Sequence, residues 1–315
     1  MNSRTQELTY GAMLVAVFGV LLLINRQTAG LFEEVIFFVL PIPMMIFSLR
    51  YGWKDSLPVF VCMAAISIFM GTLYTIFYAV ANAMLGIVLG TCLKNRWDLN
   101  QTQLLTMVLC AIINVLGSVV LASLFGINLQ AEIAEMKTSV ETILGGSGAD
   151  LSALEAMLSV NSLMRIYIIS MAFLGIVQGF IIFRLSLPIL KRLRLNVPQP
   201  QPVGMYFPPA WTAYAAGAAL ILYFMSAVNP PQGAILQTLE QSLGLVGYMY
   251  LMVFGWIALT LLIRRYLPGK AMRFLAGILA FLPLLLLPYA VLILGFLYVL
   301  GGLHERRYHS QSVNN

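Results

Sequence analysis

Long apolar runs alternate with short polar breaks along this chain, and the runs have the length of membrane helices. A helix that crosses a bilayer needs about 17 to 25 mostly apolar residues. Runs of this kind cover 8–24, 35–49, 57–71, 73–93, 104–125, 163–187, 210–228 and 243–263. A last apolar stretch, 272–303, is long for one helix and short for two, with Pro283 and Pro288 near its middle. It reads either as a bent hairpin between two short passes or as one tilted helix.

The breaks carry their own pattern. Residues 126–162 form a long insertion in which Ile133, Met136, Val140 and Ile143 fall on one helical face. It runs to Gly145-Gly146-Ser147-Gly148, and a second helix is expected beyond, with Asp150 or Ser152 as N-cap and Glu155 as the capping-box partner of Ser152. An amphipathic helical hairpin on the membrane surface follows, as a connector or as a lid. Residues 188–209 contain Pro198-Gln199-Pro200-Gln201-Pro202 and Pro208-Pro209, which favours a semi-rigid extended linker. The expected domains are a six-span unit at 1–187, the linker at 188–209, C-terminal membrane helices at 210–303 and a basic tail at 304–315.

Composition agrees with the pattern. Of 315 residues, 60% are hydrophobic and 10% charged, and the mean hydropathy is +0.89. Soluble domains carry about 25% charged residues, and a soluble fold of this size still needs a polar exterior. The fold class is therefore all-α, a polytopic integral membrane helical bundle of about 8–10 spans.

The net charge of +6 needs no nucleic-acid partner. With Arg4 placed inside, Arg50, Lys54, Lys94, Arg96, Arg184, Lys191, Arg192, Arg194, Arg264, Arg265, Lys270 and Arg273 all fall on the inner side. Arg26, Lys137 and Arg165 fall outside, together with Glu33 and Glu34. That asymmetry predicts a cytoplasmic membrane protein with both termini cytoplasmic. An inner tail favours the hairpin at 272–303.

Chemistry-bearing motifs are sparse. No G-x-x-x-x-G-K-[ST] occurs, so the chain has no P-loop of its own. Gly145-Gly146-Ser147-Gly148 has the spacing of an intramembrane serine protease motif, but it lies in a polar loop, far from His304 and His309. Glu33-Glu34 has the paired acids of another intramembrane protease class. Phe38 occupies the position where that class needs Arg. Cys62, Cys92 and Cys110 are too dispersed for a metal or redox pair and read as buried small hydrophobes. Neither an enzyme nor a cofactor is expected.

Polar side chains inside the spans are the informative feature, because lipid makes them expensive. They are Tyr74, Tyr78, Asn82, Asn114, Tyr167 and Gln178. Tyr74, Tyr78 and Asn82 are spaced by four and share a helix face. Two readings stand. The asparagines tie helices together, or these residues line a small ligand pocket with aromatic walls. In the pocket reading Tyr74 and Tyr78 stack on the ligand, Asn82 and Asn114 orient it, and Arg165 meets an anionic group at the mouth. Otherwise Arg165 pairs with Glu141 or Glu155.

Three sequence features add a resemblance: Leu8-Thr9-Tyr10-Gly11-Ala12-Met13-Leu14-Val15-Ala16, the turn Leu49-Arg50-Tyr51-Gly52-Trp53-Lys54, and Leu85-Gly86-Ile87-Val88-Leu89-Gly90. Over residues 1–195 the chain resembles the S components of energy-coupling factor (ECF) transporters. Over most of its length it resembles the YybS-like family of bacterial membrane proteins. The resemblance implies a six-helix first half that binds a small molecule, with a separate coupling subunit and ATPases as partners. It also implies a docking patch on the first helix, matched by Ala12 and Ala16. The insertion at 126–162 and the helices after 210 depart from that pattern. The expected function is small-ligand binding or uptake; the alternative is a membrane scaffold or assembly factor for envelope or division processes.

Overall fold

A computed structural model of the chain describes residues 3–124, 129–146, 160–195, 197, 209–228, 234–266 and 287–300. Eleven α-helices and no strands occur among them. They are α1 (Ser3–Gln27), α2 (Glu33–Val39), α3 (Pro41–Tyr51), α4 (Trp53–Met70), α5 (Leu73–Lys94), α6 (Leu99–Leu124), α7 (Leu129–Gly146), α8 (Val160–Arg192), α9 (Trp211–Val228), α10 (Ala234–Tyr266) and α11 (Pro288–Leu300). Among the described residues seven helical segments are long and apolar enough to cross a membrane, with α2 and α3 together making one of them. Large apolar side chains such as Leu8, Val61, Phe69 and Leu104 face outward. A surface of that kind is stable against lipid and not against water. The protein is an all-α polytopic membrane bundle.

The chain divides into two compact units, residues 1–129 with 170–200, and residues 130–169 with 201–315. The division falls inside α8.

In the first unit, α3 and α5 are the most intimate pair. A Cβ on Gly86 would stand 2.5 Å from the Pro41 carbonyl oxygen and 2.9 Å from Met44 Cβ. One on Gly90 would stand 2.5 Å from the Met45 carbonyl oxygen and would collide with Ser48 Oγ. Two glycines four apart thus let backbone approach backbone, which is how helices associate where lipid offers no hydrophobic drive. Ser48 Oγ closes the seam by donating to the Gly86 carbonyl at 3.0 Å. Gly175 and Gly179 on α8 do the same against Ala111 and Met107 of α6. Phe18, Phe37, Met44, Met45, Phe47, Met63 and Phe183 fill the interior.

The span expected at 35–49 is present as one apolar segment, Glu33–Tyr51, with a turn within it. Leu40 separates α2 from α3, and Pro41 occupies the first position of α3. Proline lacks the N–H that would continue the helical ladder. Gly52, with φ +104°, ends α3 in a conformation that favours glycine. Further along, α8 runs on through Pro188 to Arg192, past the expected end of the sixth span at 187.

In the second unit Gly255 of α10 lies against the Val291 backbone of α11. Ile133 of α7 is buried, whereas Met136, expected on the same apolar face, is exposed. The capping box at 152–155, the Pro-Gln-Pro run and residues 283–286 of the expected bend lie outside the described residues.

Candidate functional site

Polar side chains from three helices converge where α1 ends, α2 begins and the α4–α5 turn passes. Thr72 caps α5, its Oγ1 accepting from the Thr75 backbone N–H at 3.2 Å. That cap aims Thr75 Oγ1 at Glu33 Oε1, to which it donates. Asn25, in the last turn of α1, donates to the same oxygen through Nδ2 at 3.1 Å. Glu33 and Glu34 both sit in the first turn of α2, where the helix dipole favours negative charge. Glu34 Oε1 accepts from the Tyr74 hydroxyl at 3.2 Å. Below the carboxylates lies an aromatic cluster. Tyr74 and Tyr78 ring centroids are 4.7 Å apart, and Phe37 stacks on Tyr78 at 5.1 Å.

The residues expected to form a pocket have separate fates. Tyr74 and Tyr78 belong to this cluster. Asn82 is buried and donates to the Tyr78 carbonyl on its own helix at 2.9 Å. Asn114 is buried too, and its Nδ2 lies 2.9 Å from the Cys110 carbonyl and 2.7 Å from Gln178 Oε1. That bond joins α6 to α8. Arg165 belongs to the second unit, where its Nη1 donates to Gln241 Oε1 at 3.0 Å. Arg165 and Gln241 line a shallow recess there with Tyr223 and Ser242.

Ala12 and Ala16 lie on the exposed face of α1, while Gly11 turns inward toward Val59 and Phe47. Cys92 and Cys110 are buried, but Cys62 is exposed, which corrects the expectation for that residue. A thiol is apolar enough to face lipid, so the span's hydropathy could not reveal its side.

Among the described residues no three His, Cys, Asp or Glu side chains gather as a metal centre. Sequence reasoning passed over Asn25, Thr75 and Phe37, and weighed Glu33 only as half of a protease-like acidic pair. Their available signal was an acidic pair opening a span that Pro41 and Pro43 interrupt.

No curated protein and no solved structure matches the chain. One family model does, over residues 16–297, and its breadth decides the assignment. The chain belongs to the family of predicted membrane proteins designated DUF2232.

Proposed function

We propose that this membrane protein binds a small ligand and takes part in its uptake, as the S components of ECF transporters do. The observation that carries the reading is the convergence of Asn25, Glu33, Glu34, Tyr74 and Thr75 over the rings of Phe37 and Tyr78. Orienting polar groups beside aromatic walls are what a small-molecule site requires. Tyr74 and Thr75 lie inside the span at 73–93, where polar side chains are retained at such sites despite their cost.

In this reading the ligand is held within the first unit by Tyr74 and Tyr78, with Asn82 deeper on the same helix. The chain has no catalytic residues and relies on a coupling subunit and ATPases. The exposure of Ala12 and Ala16 supports a docking role, since a patch used for internal packing would be covered. The charge asymmetry supports a cytoplasmic-membrane location with both termini inside.

One preparation tests these points. An affinity tag after Asn315 should be reached by antibody only after the cells are permeabilised. Pull-down on that tag should bring a coupling subunit and ATPases, and Ala12→Leu with Ala16→Leu should lose them without lowering the yield of folded protein. Recovery of the chain with neither subunit nor any retained small molecule would overturn the reading. A stoichiometric cytosolic partner in their place would establish the scaffold alternative.

A further inference from the structure

Two carboxylates at a helix N-terminus need no ligand to explain them. Asn25 does. Its side chain is 4% exposed, and Nδ2 is engaged by Glu33, yet Oδ1 is shut off from solvent and meets no donor among the described residues. A buried acceptor without a donor forfeits its full hydration, so such groups signal something that completes them. Exchanging O and N of this amide would not help, because Oδ1 would then face a carboxylate oxygen.

The groups hydrogen-bonded in this cluster carry oxygen. Glu33 supplies the carboxylate, Thr75 and Thr72 the hydroxyls, with their oxygens 2.8 Å apart, and Asn25 the amide carbonyl. Glu33 Oε1 already takes two donors, while Oε2 points toward Gly30, at 3.5 Å from where a Cβ there would stand. Among the described residues no basic side chain pairs with Glu33; Arg26, the cation nearest in sequence, is 3.5 Å from the Phe69 carbonyl.

We infer that Asn25, Glu33 and Thr75 form a binding site for a monovalent alkali cation of sodium size, next to the ligand site proposed above. The inference rests on reading this cluster as a binding site but not on the identity of any organic ligand. Oxygen donors select hard cations over transition metals. One carboxylate within the hydrogen-bonded group matches a single positive charge, whereas calcium takes six to eight oxygens. Asn25 Oδ1 is shut off from solvent, which argues for a compact partner over a bulky organic ammonium.

The experiment is thermal unfolding of the purified full chain in detergent, in sodium, potassium and choline chloride at equal ionic strength. Sodium should raise Tm saturably, by about 4 °C when the ion stands near 100 times its Kd. Glu33→Gln and Asn25→Ala should lose the sodium increment measured against their own choline value, and Thr75→Ser should retain it. Radioactive sodium binding to the wild-type chain gives a second readout if a variant fails to fold. Identical melting in the three salts, or an undiminished increment in Glu33→Gln, would overturn the site. A calcium response in place of sodium would overturn it as well. A sodium response without coupling subunits or retained ligand leaves the ion site standing and removes the uptake reading. Coupling subunits together with salt-independent melting do the reverse.

Discussion

Helix α5 carries Gly86 and Gly90 in one half and Tyr74, Thr75 and Tyr78 in the other, and its neighbours meet the two halves differently. Against the glycines α3 comes in on bare backbone, sealed by the single bond from Ser48. At the tyrosine end the contacts are made through side chains, the hydroxyls of α5 meeting carboxylates of α2 that also take an amide from the end of α1. The first arrangement leaves no space and no choice of partner. The second gathers oxygen and aromatic faces that packing alone does not require. Stability should therefore reside in the glycine half and recognition in the tyrosine half.

The strongest way to break this contrast is to give the seam a side chain. At Gly90 even a Cβ would stand 2.8 Å from the Leu49 backbone nitrogen and on top of Ser48 Oγ. Gly90→Leu should destabilise the first unit by about 3 kcal/mol or more and leave little monodisperse protein after detergent extraction. An unchanged melting temperature would show that α3 can withdraw from α5 without loss, and the seam would then not be what holds the unit.

The Asn114–Gln178 bond is the intermediate case, a polar contact set among the glycine contacts of α6 and α8. Interhelical hydrogen bonds in membranes average about 0.6 kcal/mol and reach about 1.7. A double-mutant cycle with Asn114→Leu and Gln178→Leu should give a coupling in that range, read from melting temperatures. Coupling near zero would show that the bond is replaceable by packing and would return Asn114 to the list of ligand-orienting groups.

The glycine half and the tyrosine half were legible to different degrees. Apolar run length located the spans, since a bilayer sets that length directly. Gly86 and Gly90 were visible as a spaced pair, but nothing in the spacing names α3 as the helix they face. Tyr74 and Tyr78 announced themselves by standing inside an apolar run. Their acidic neighbours did not, because Glu33 meets Asn25 across 8 residues and Thr75 across 42. That meeting depends on the turn from α1 to α2 and on the Thr72 cap, neither of which has a periodic signature. Arg165 was conspicuous as a basic residue on the side poor in them, and its partner Gln241 is 76 residues away and uncharged. Charge patterning points to charged partners and passes over a neutral amide.

The smallest effect is expected at Tyr74, and it bears most directly on what the tyrosine half is for. The Tyr74 hydroxyl donates to Glu34, an exposed carboxylate, and not to the buried group around Asn25. Removing it leaves no buried oxygen without a donor, because water can reach Glu34. Tyr74→Phe keeps the ring contacts with Tyr78 and Phe37, which lie at 4.7 and 6.0 Å between centroids. Its stability should stay within about 0.5 kcal/mol of the wild type, as for most substitutions away from buried features. Its sodium-dependent rise in Tm should also persist, since Glu33 keeps both of its donors. A loss as large as the Asn114–Gln178 coupling would make the tyrosine half a structural clasp, and the division of labour along α5 would fall with it.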